Sequence, residues 1–283
     1  MLQFFYFMAH YEFIFSGLQS EQSDILIARL NELNFEGFEE DNGLLKAYIK
    51  PENLDMILFN NIIEQNSLIY SKSIINETNW NAKWESDFEP VSVILPGMES
   101  PFAYVRAGFH IPNPAAMHDI LITPKMSFGT GHHATTYLMI EQMSRLDFKG
   151  KTVIDFGTGT GVLAVLAEKM GAASVIGIDN DDWSINNARE NVEANQCKAI
   201  SIVQASTIDL EEKAAILLAN INLPVITGNI NEIKNCCKIG ADILFSGILA
   251  DDEAIIVKVL QDNGIRIQQV HNRNNWLAIK ATI

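Results

Sequence analysis

In Thr152-Val153-Ile154-Asp155-Phe156-Gly157-Thr158-Gly159-Thr160-Gly161-Val162-Leu163, three β-branched residues run into an acid, and glycine then takes every second position. The β-branched run favours a strand. Alternating glycines let a turn adopt φ > 0 and let a ligand approach bare backbone. Leu166, Ala167 and Met170 follow at helical spacing, so the stretch predicts strand, tight turn and helix. The first N–H groups of that helix point at whatever occupies the turn and favour a negative group there.

The spacing separates candidate ligands. The dinucleotide fingerprint G-x-G-x-x-G has its last glycine where this chain has Val162. The loop has no Lys, which a phosphate-gripping P-loop needs. An acid followed by G-x-G-x-G resembles instead the first motif of S-adenosylmethionine-dependent methyltransferases. The next apolar run, residues 173–179, ends in Asp179 about twenty residues beyond the glycines, where a carboxylate binds ribose hydroxyls. Each signal alone also fits an ordinary α/β turn; together they point to a nucleoside-bearing cofactor.

Composition narrows the function. With 20 basic and 35 acidic residues the formal charge is −15, which argues against a nucleic-acid-binding surface. It suits a basic protein partner steered by charge, or simply solvated acidic faces. Cys197, Cys236 and Cys237 show neither C-x-x-C pairing nor metal spacing, and an odd count fits a reducing compartment, hence the cytoplasm. No membrane span or signal peptide is expected: the apolar start, residues 1–15, lacks an early Lys or Arg and is broken by His10 and Glu12. Met8 is an alternative natural start to Met1.

The first part predicts a small domain, residues 1–76. A strand with Tyr11, Phe13 and Phe15 on one face leads to a helix capped by Ser20 or Ser23, carrying Ile25, Leu26, Leu30 and Leu33. Residues 35–40 and 44–49 form a hairpin around Asp41-Asn42-Gly43. Pro51 opens a second helix and residues 67–75 a last strand. The order βαββαβ is that of a ferredoxin-like α+β unit. Residues 77–92 then read as a linker helix whose Trp80, Trp84 and Phe88 share a face.

From residue 93 to 283 a second domain is expected. A strand over residues 119–123 precedes another glycine turn, Phe128-Gly129-Thr130-Gly131-His132-His133-Ala134-Thr135-Thr136, read as a flap over the cofactor. Adjacent His132 and His133 point apart on a helix, so no metal site is expected. Beyond Asp179 the α/β alternation continues. A helix covers 183–195, with strands at 199–204, 214–219 and 241–245, a helix after Pro224 to about residue 233, another after Leu249, and a final hairpin of 264–270 and 276–282. The expected fold is α/β, a Rossmann-like, mostly parallel sheet closed by an antiparallel last strand. Its site lies at the carboxyl ends of the strands, where Gly157, Asp179 and Asn220 fall.

Residues 80–90, the Phe128-Gly129-Thr130-Gly131 turn with His133 and Thr135-Thr136, the 152–161 stretch, Ile178-Asp179, Ala219-Asn220-Ile221 and Ser246-Gly247-Ile248-Leu249 resemble one family. This is the bacterial methyltransferase family that modifies ribosomal protein eleven of the large subunit. The resemblance runs from about Trp80 to the end, and implies that the N-terminal domain recognises the substrate. It implies S-adenosyl-L-methionine as cofactor, with Thr136, Gly157, Asp179 and Asn220 as contacts; the glycine motif adds Gly159. It implies methylation of lysine side chains and N-terminal amines of a large-subunit ribosomal protein, by a monomer in the cytoplasm, with Asn220 accepting hydrogen bonds from the amine as the candidate catalytic residue. Asn220 could equally brace the loop or contact the cofactor. The alternative substrates are a glutamine amide or a small-molecule amine. Four positions depart from the family pattern: Ala134 stands where proline is common, Thr123 where an acid is common, and Asn222-Leu223 where Ala-Gly is common.

Overall fold

The computed structural model describes residues 10–41, 43–66, 68–75, 89–123, 133–208 and 213–283. Residues 77–88 of the expected linker helix and 124–132 of the expected flap lie outside them; the linker's last residues, Val91 and Ser92, are strand instead of helix. The chain divides into two compact units, Met1–Ser86 and Asp87–Ile283.

The first unit contains β1 (His10–Ser16), α1 (Ser20–Asn31), β2 (Gly37–Asp41), β3 (Leu44–Ile49), α2 (Met56–Gln65) and β4 (Tyr70–Ile75). Its sheet order is β2-β3-β1-β4, antiparallel throughout, as a ferredoxin-like unit requires. Alternation puts Phe13, Phe15, Leu45 and Ile49 on the buried face, against Leu30 and Phe59. The Phe13 ring lies 4.6 Å from that of Phe59 and 5.5 Å from that of Tyr70. Local details differ from the sequence reading. Gln19, not a serine, is the N-cap of α1, and Gln22 Oε1 accepts from its backbone N–H at 3.0 Å. Pro51 begins only a short 3-10 turn, because Asp55 supplies the better cap: its Oδ1 accepts from Ile57 N (2.9 Å) and Leu58 N (3.1 Å).

The second unit opens with a small sheet that the sequence reading largely missed. It comprises β5 (Val91–Val93), β6 (Ala103–Arg106) and β7 (His118–Leu121), with β6 and β7 parallel. The main sheet follows. Its elements are α3 (Ala134–Met143), β8 (Thr152–Phe156), α4 (Val162–Lys169), β9 (Ser174–Asp179), α5 (Asp182–Ala194), β10 (Ile200–Gln204), β11 (Ala214–Asn220), α6 (Leu223–Gly228), α7 (Ile230–Asn235), β12 (Cys237–Leu249), α8 (Glu253–Asp262), β13 (Arg266–Arg273) and β14 (Trp276–Thr282). The helix expected after Pro224 is two, divided next to Gly228, where helix propensity is lowest.

The strand order is β10-β9-β8-β11-β12-β14-β13. Strands β10 to β12 are parallel, whereas β14 runs antiparallel to both β12 and β13. Both faces are covered, which explains the unbroken apolar runs. Ile216, Leu218 and Leu244 join one core with Met139, Ile140 and Leu163 from α3 and α4. Their neighbours Leu217, Ala219, Ile243 and Phe245 join the other, with Ile226, Ile233, Ile256 and Leu260 from α6 to α8. The order reverses between β8 and β11, and a crevice at such a switch point is where open α/β sheets bind ligands.

Candidate active site

The glycine turn leaves the carboxyl end of β8 at that switch point. Gly157 and Thr158 both donate backbone N–H bonds to Ile178 O, at 2.8 and 2.9 Å. Gly157 has φ +75°, and a Cβ there would lie 2.1 Å from Ile221 Cγ2. Only glycine fits, and the contact sets the residue after Asn220 directly against the turn.

Asp179, the last residue of β9, uses one oxygen to accept from Gly159 N (2.8 Å) and the other from Asp181 N (3.1 Å). Burial raises its pKa, and the amides of Asp181 and Gly159 pull it back. A carboxylate has about four acceptor positions, so two remain for a pair of hydroxyls. Asp155 lies beneath the turn, 1% exposed. Its Oδ2 accepts from the Thr158 hydroxyl at 2.7 Å, and the Ala164 backbone also donates to the carboxyl. Burial pushes its pKa up to about 7; the Thr158 and Ala164 hydrogen bonds oppose this and the Asp179 charge adds to it.

Asn220 ends β11, opposite Ser246 of β12. Its side-chain oxygen is buried without a partner among the described residues. Ile221 N donates to Ser246 O at 3.1 Å, and the register slips between Ser246 and Ile248. Gly247, in that bulge, has φ +81°, and a Cβ would lie 2.5 Å from Ile221 O. The glycine turn from one side and the bulge from the other thus clamp the segment that carries Asn220.

Thr136 sits at the start of α3, fully buried, and its hydroxyl also lacks a partner among the described residues. His133 is the N-cap of α3, its Nδ1 accepting from Thr135 N at 3.3 Å. Burial lowers its pKa to about 4, so the ring is neutral at pH 7. It packs edge-on against Trp276 at 4.6 Å. Trp276 pairs with Leu249 at the end of β12, which places the start of α3 at the same edge of the sheet. The structure therefore gathers Thr136, Gly157, Gly159, Asp179 and Asn220 at one edge. Sequence reasoning assigned no role to Asp155 or Gly247, although both stand in motifs it singled out. Trp276 carried no local signal.

The buried oxygens of Thr136 and Asn220, without partners among the described residues, lie at the same sheet edge as a turn whose backbone is bared by glycine. That donor and acceptor set fits a cofactor with hydroxyls and a cationic group. Sheet order, turn and terminal acid together define a class I S-adenosylmethionine-dependent methyltransferase. The chain belongs to the ribosomal protein L11 methyltransferase family, whose model, Ribosomal protein L11 methyltransferase (PrmA), matches residues 21–283. It is similar to the ribosomal protein L11 methyltransferase of Porphyromonas gingivalis (35% identical over 268 residues, 92% of this chain and 90% of that protein). It is also similar to that of Bacteroides thetaiotaomicron (33% identical, 97% and 100%). Among solved structures, the ribosomal protein L11 methylase of Lactobacillus delbrueckii subsp. bulgaricus superposes with a TM-score of 0.63 at 26% identity, covering 69% of this chain and 98% of that one.

Proposed function

We propose that this chain transfers methyl groups from S-adenosyl-L-methionine to lysine side-chain and N-terminal amines of the large-subunit ribosomal protein L11. Its relatives' names support the substrate. The observation that carries the chemistry is the buried Asn220 oxygen, without a partner among the described residues, on the segment set against the glycine turn. Thr136, Gly157, Gly159, Asp179 and Asn220 would hold the cofactor, with Asp179 on its ribose.

When bound, the cofactor supplies a methyl group already activated by a sulfonium, so the chain's residues need only position and deprotonate an amine. A lysine ammonium must lose a proton, which costs roughly 4.6 kcal/mol at pH 7. A desolvated site beside the bound cofactor's positive charge disfavours the charged amine, whose proton passes to water. Asn220 Oδ1 accepts an N–H of the neutral amine and aims its lone pair.

The N-terminal unit, residues 1–76, is the substrate-recognition domain in this reading, joined through 77–92 to a catalytic domain of 93–283. The acidic chain, net −15, suits a basic protein substrate rather than nucleic acid. Among the described residues no helix is long and apolar enough to cross a membrane; the protein acts as a cytoplasmic monomer. The test is peptide mass spectrometry of purified L11 incubated with the chain and cofactor. Methyl groups on lysine and terminal amines are expected. Methylated glutamine, or unmodified L11 with turnover of a small amine, would overturn the assignment.

A further inference from the structure

Behind the turn, one buried amide ties the glycine loop to a separate part of the fold. Helix α5 turns Asn187, Ala188 and Asn191 inward, all fully buried. A Cβ on Gly161 would lie 3.4 Å from the Ala188 Cα, so α5 lies directly against the loop. Asn191 Nδ2 donates to Thr160 O at 2.8 Å and to Asn187 Oδ1 at 3.2 Å. Its Oδ1 accepts from Thr123 N at 2.7 Å. One turn further, Asn195 serves Leu121 as a neighbouring strand would: Nδ2 donates to Leu121 O (2.6 Å) and Oδ1 accepts from Leu121 N (3.0 Å). The outer edge of β7 is thus hydrogen-bonded by side-chain amides. Of these two asparagine side chains, Asn191 alone also reaches the loop.

The residue type is demanded by both ends. A buried carbonyl needs a donor and a buried N–H needs an acceptor, and a planar amide offers one of each. The Thr160–Gly161 peptide hinges on one side at Gly161, whose backbone rotation is least restricted. Asn191 holds its carbonyl, and Thr158 O accepts its Gly161 N–H at 2.8 Å. A peptide held at both ends cannot flip. Ordering a glycine loop before the ligand arrives removes an entropic cost from binding.

We infer that Asn191 is a positioning residue for cofactor binding, fixing the 157–161 turn through the Thr160 carbonyl. This rests on the reading that the turn receives S-adenosylmethionine. The test titrates S-adenosylhomocysteine by calorimetry into the full chain, wild type and the variants Asn191→Ala, Asn191→Asp and Asn195→Ala, each with its Tm. Asn191→Asp keeps the acceptor for Thr123 N and removes the donor shared by Thr160 O and Asn187 Oδ1. Both Asn191 variants should bind about tenfold more weakly. Asn195→Ala should lower Tm and keep affinity within about twofold of wild type. If Asn191→Ala does not fold, Asn191→Asp carries the comparison. Wild-type affinity in Asn191→Asp, or a loss in Asn195→Ala as large as in the Asn191 variants, would overturn the inference alone. No heat from the wild type would overturn the cofactor reading and this inference together.

Discussion

Asp155 is a buried carboxyl whose folded pKa stands near 7 against 3.8 for the unfolded chain. Between those values the folded state holds a proton that the unfolded state has released. Stability from this group is therefore complete below about pH 4 and declines as pH rises towards 7. Asp155→Asn keeps an acceptor for Thr158 and does not ionise. Without cofactor it should melt within about a degree of wild type at pH 4, and roughly 5 °C higher at pH 8. Equal melting at both pH values would show that Asp155 is not held protonated. Asn220→Ala should lower kcat roughly a hundredfold even at saturating cofactor; steady-state kinetics would show unchanged turnover there if the residue only braces its loop or holds the cofactor. The residues read from sequence were those in local patterns: glycines at alternate positions and an acid closing a strand. Asn191 was not legible, because a buried asparagine leaves no mark on hydrophobic periodicity. Its place in the series Asn187, Asn191 and Asn195, four residues apart, was the available clue.

Elements with a strong local code were legible almost to the residue. β3 and β14 match expectation because each belongs to a hairpin with a turn code, Gly43 at φ +78° in one and Asn274-Asn275 with positive φ in the other. β5 and β6 were missed because three and four residues are too few to show a period. The 13 residues of β12 read as a shorter strand because Gly247 interrupts the pattern. That interruption is a bulge with a purpose, since its glycine abuts the backbone of Ile221. Gly247→Ala should therefore lower Tm by several degrees through strain and a backbone clash, and cut turnover more than tenfold by moving Asn220. A thermal melt and an activity assay of that variant, with both values at wild-type level, would refute the clamp.

Each unit has its own apolar core, the first around Phe13 and Phe59 and the second around both faces of the long sheet. Expressed alone, residues 87–283 should fold and bind S-adenosylhomocysteine with affinity within about threefold of the full chain. The same fragment should methylate L11 more than tenfold more slowly, as a methylation time course would record; undiminished transfer would remove the recognition role of the first unit. Whole-chain architecture was legible because the βαββαβ order and the later α/β alternation each admit few topologies. The candidate residues Gly157, Gly159, Asp179 and Asn220 meet only through the sheet order, which brings β8, β9 and β11 side by side. Everything proposed for this molecule requires that edge to hold S-adenosylmethionine, with Asp179 as its ribose partner. Calorimetric titration of the cofactor into wild type and Asp179→Ala tests this most directly. The wild type should bind at one site per chain and Asp179→Ala at least tenfold more weakly, whereas no heat from the wild type, or equal affinity in the two proteins, would contradict it.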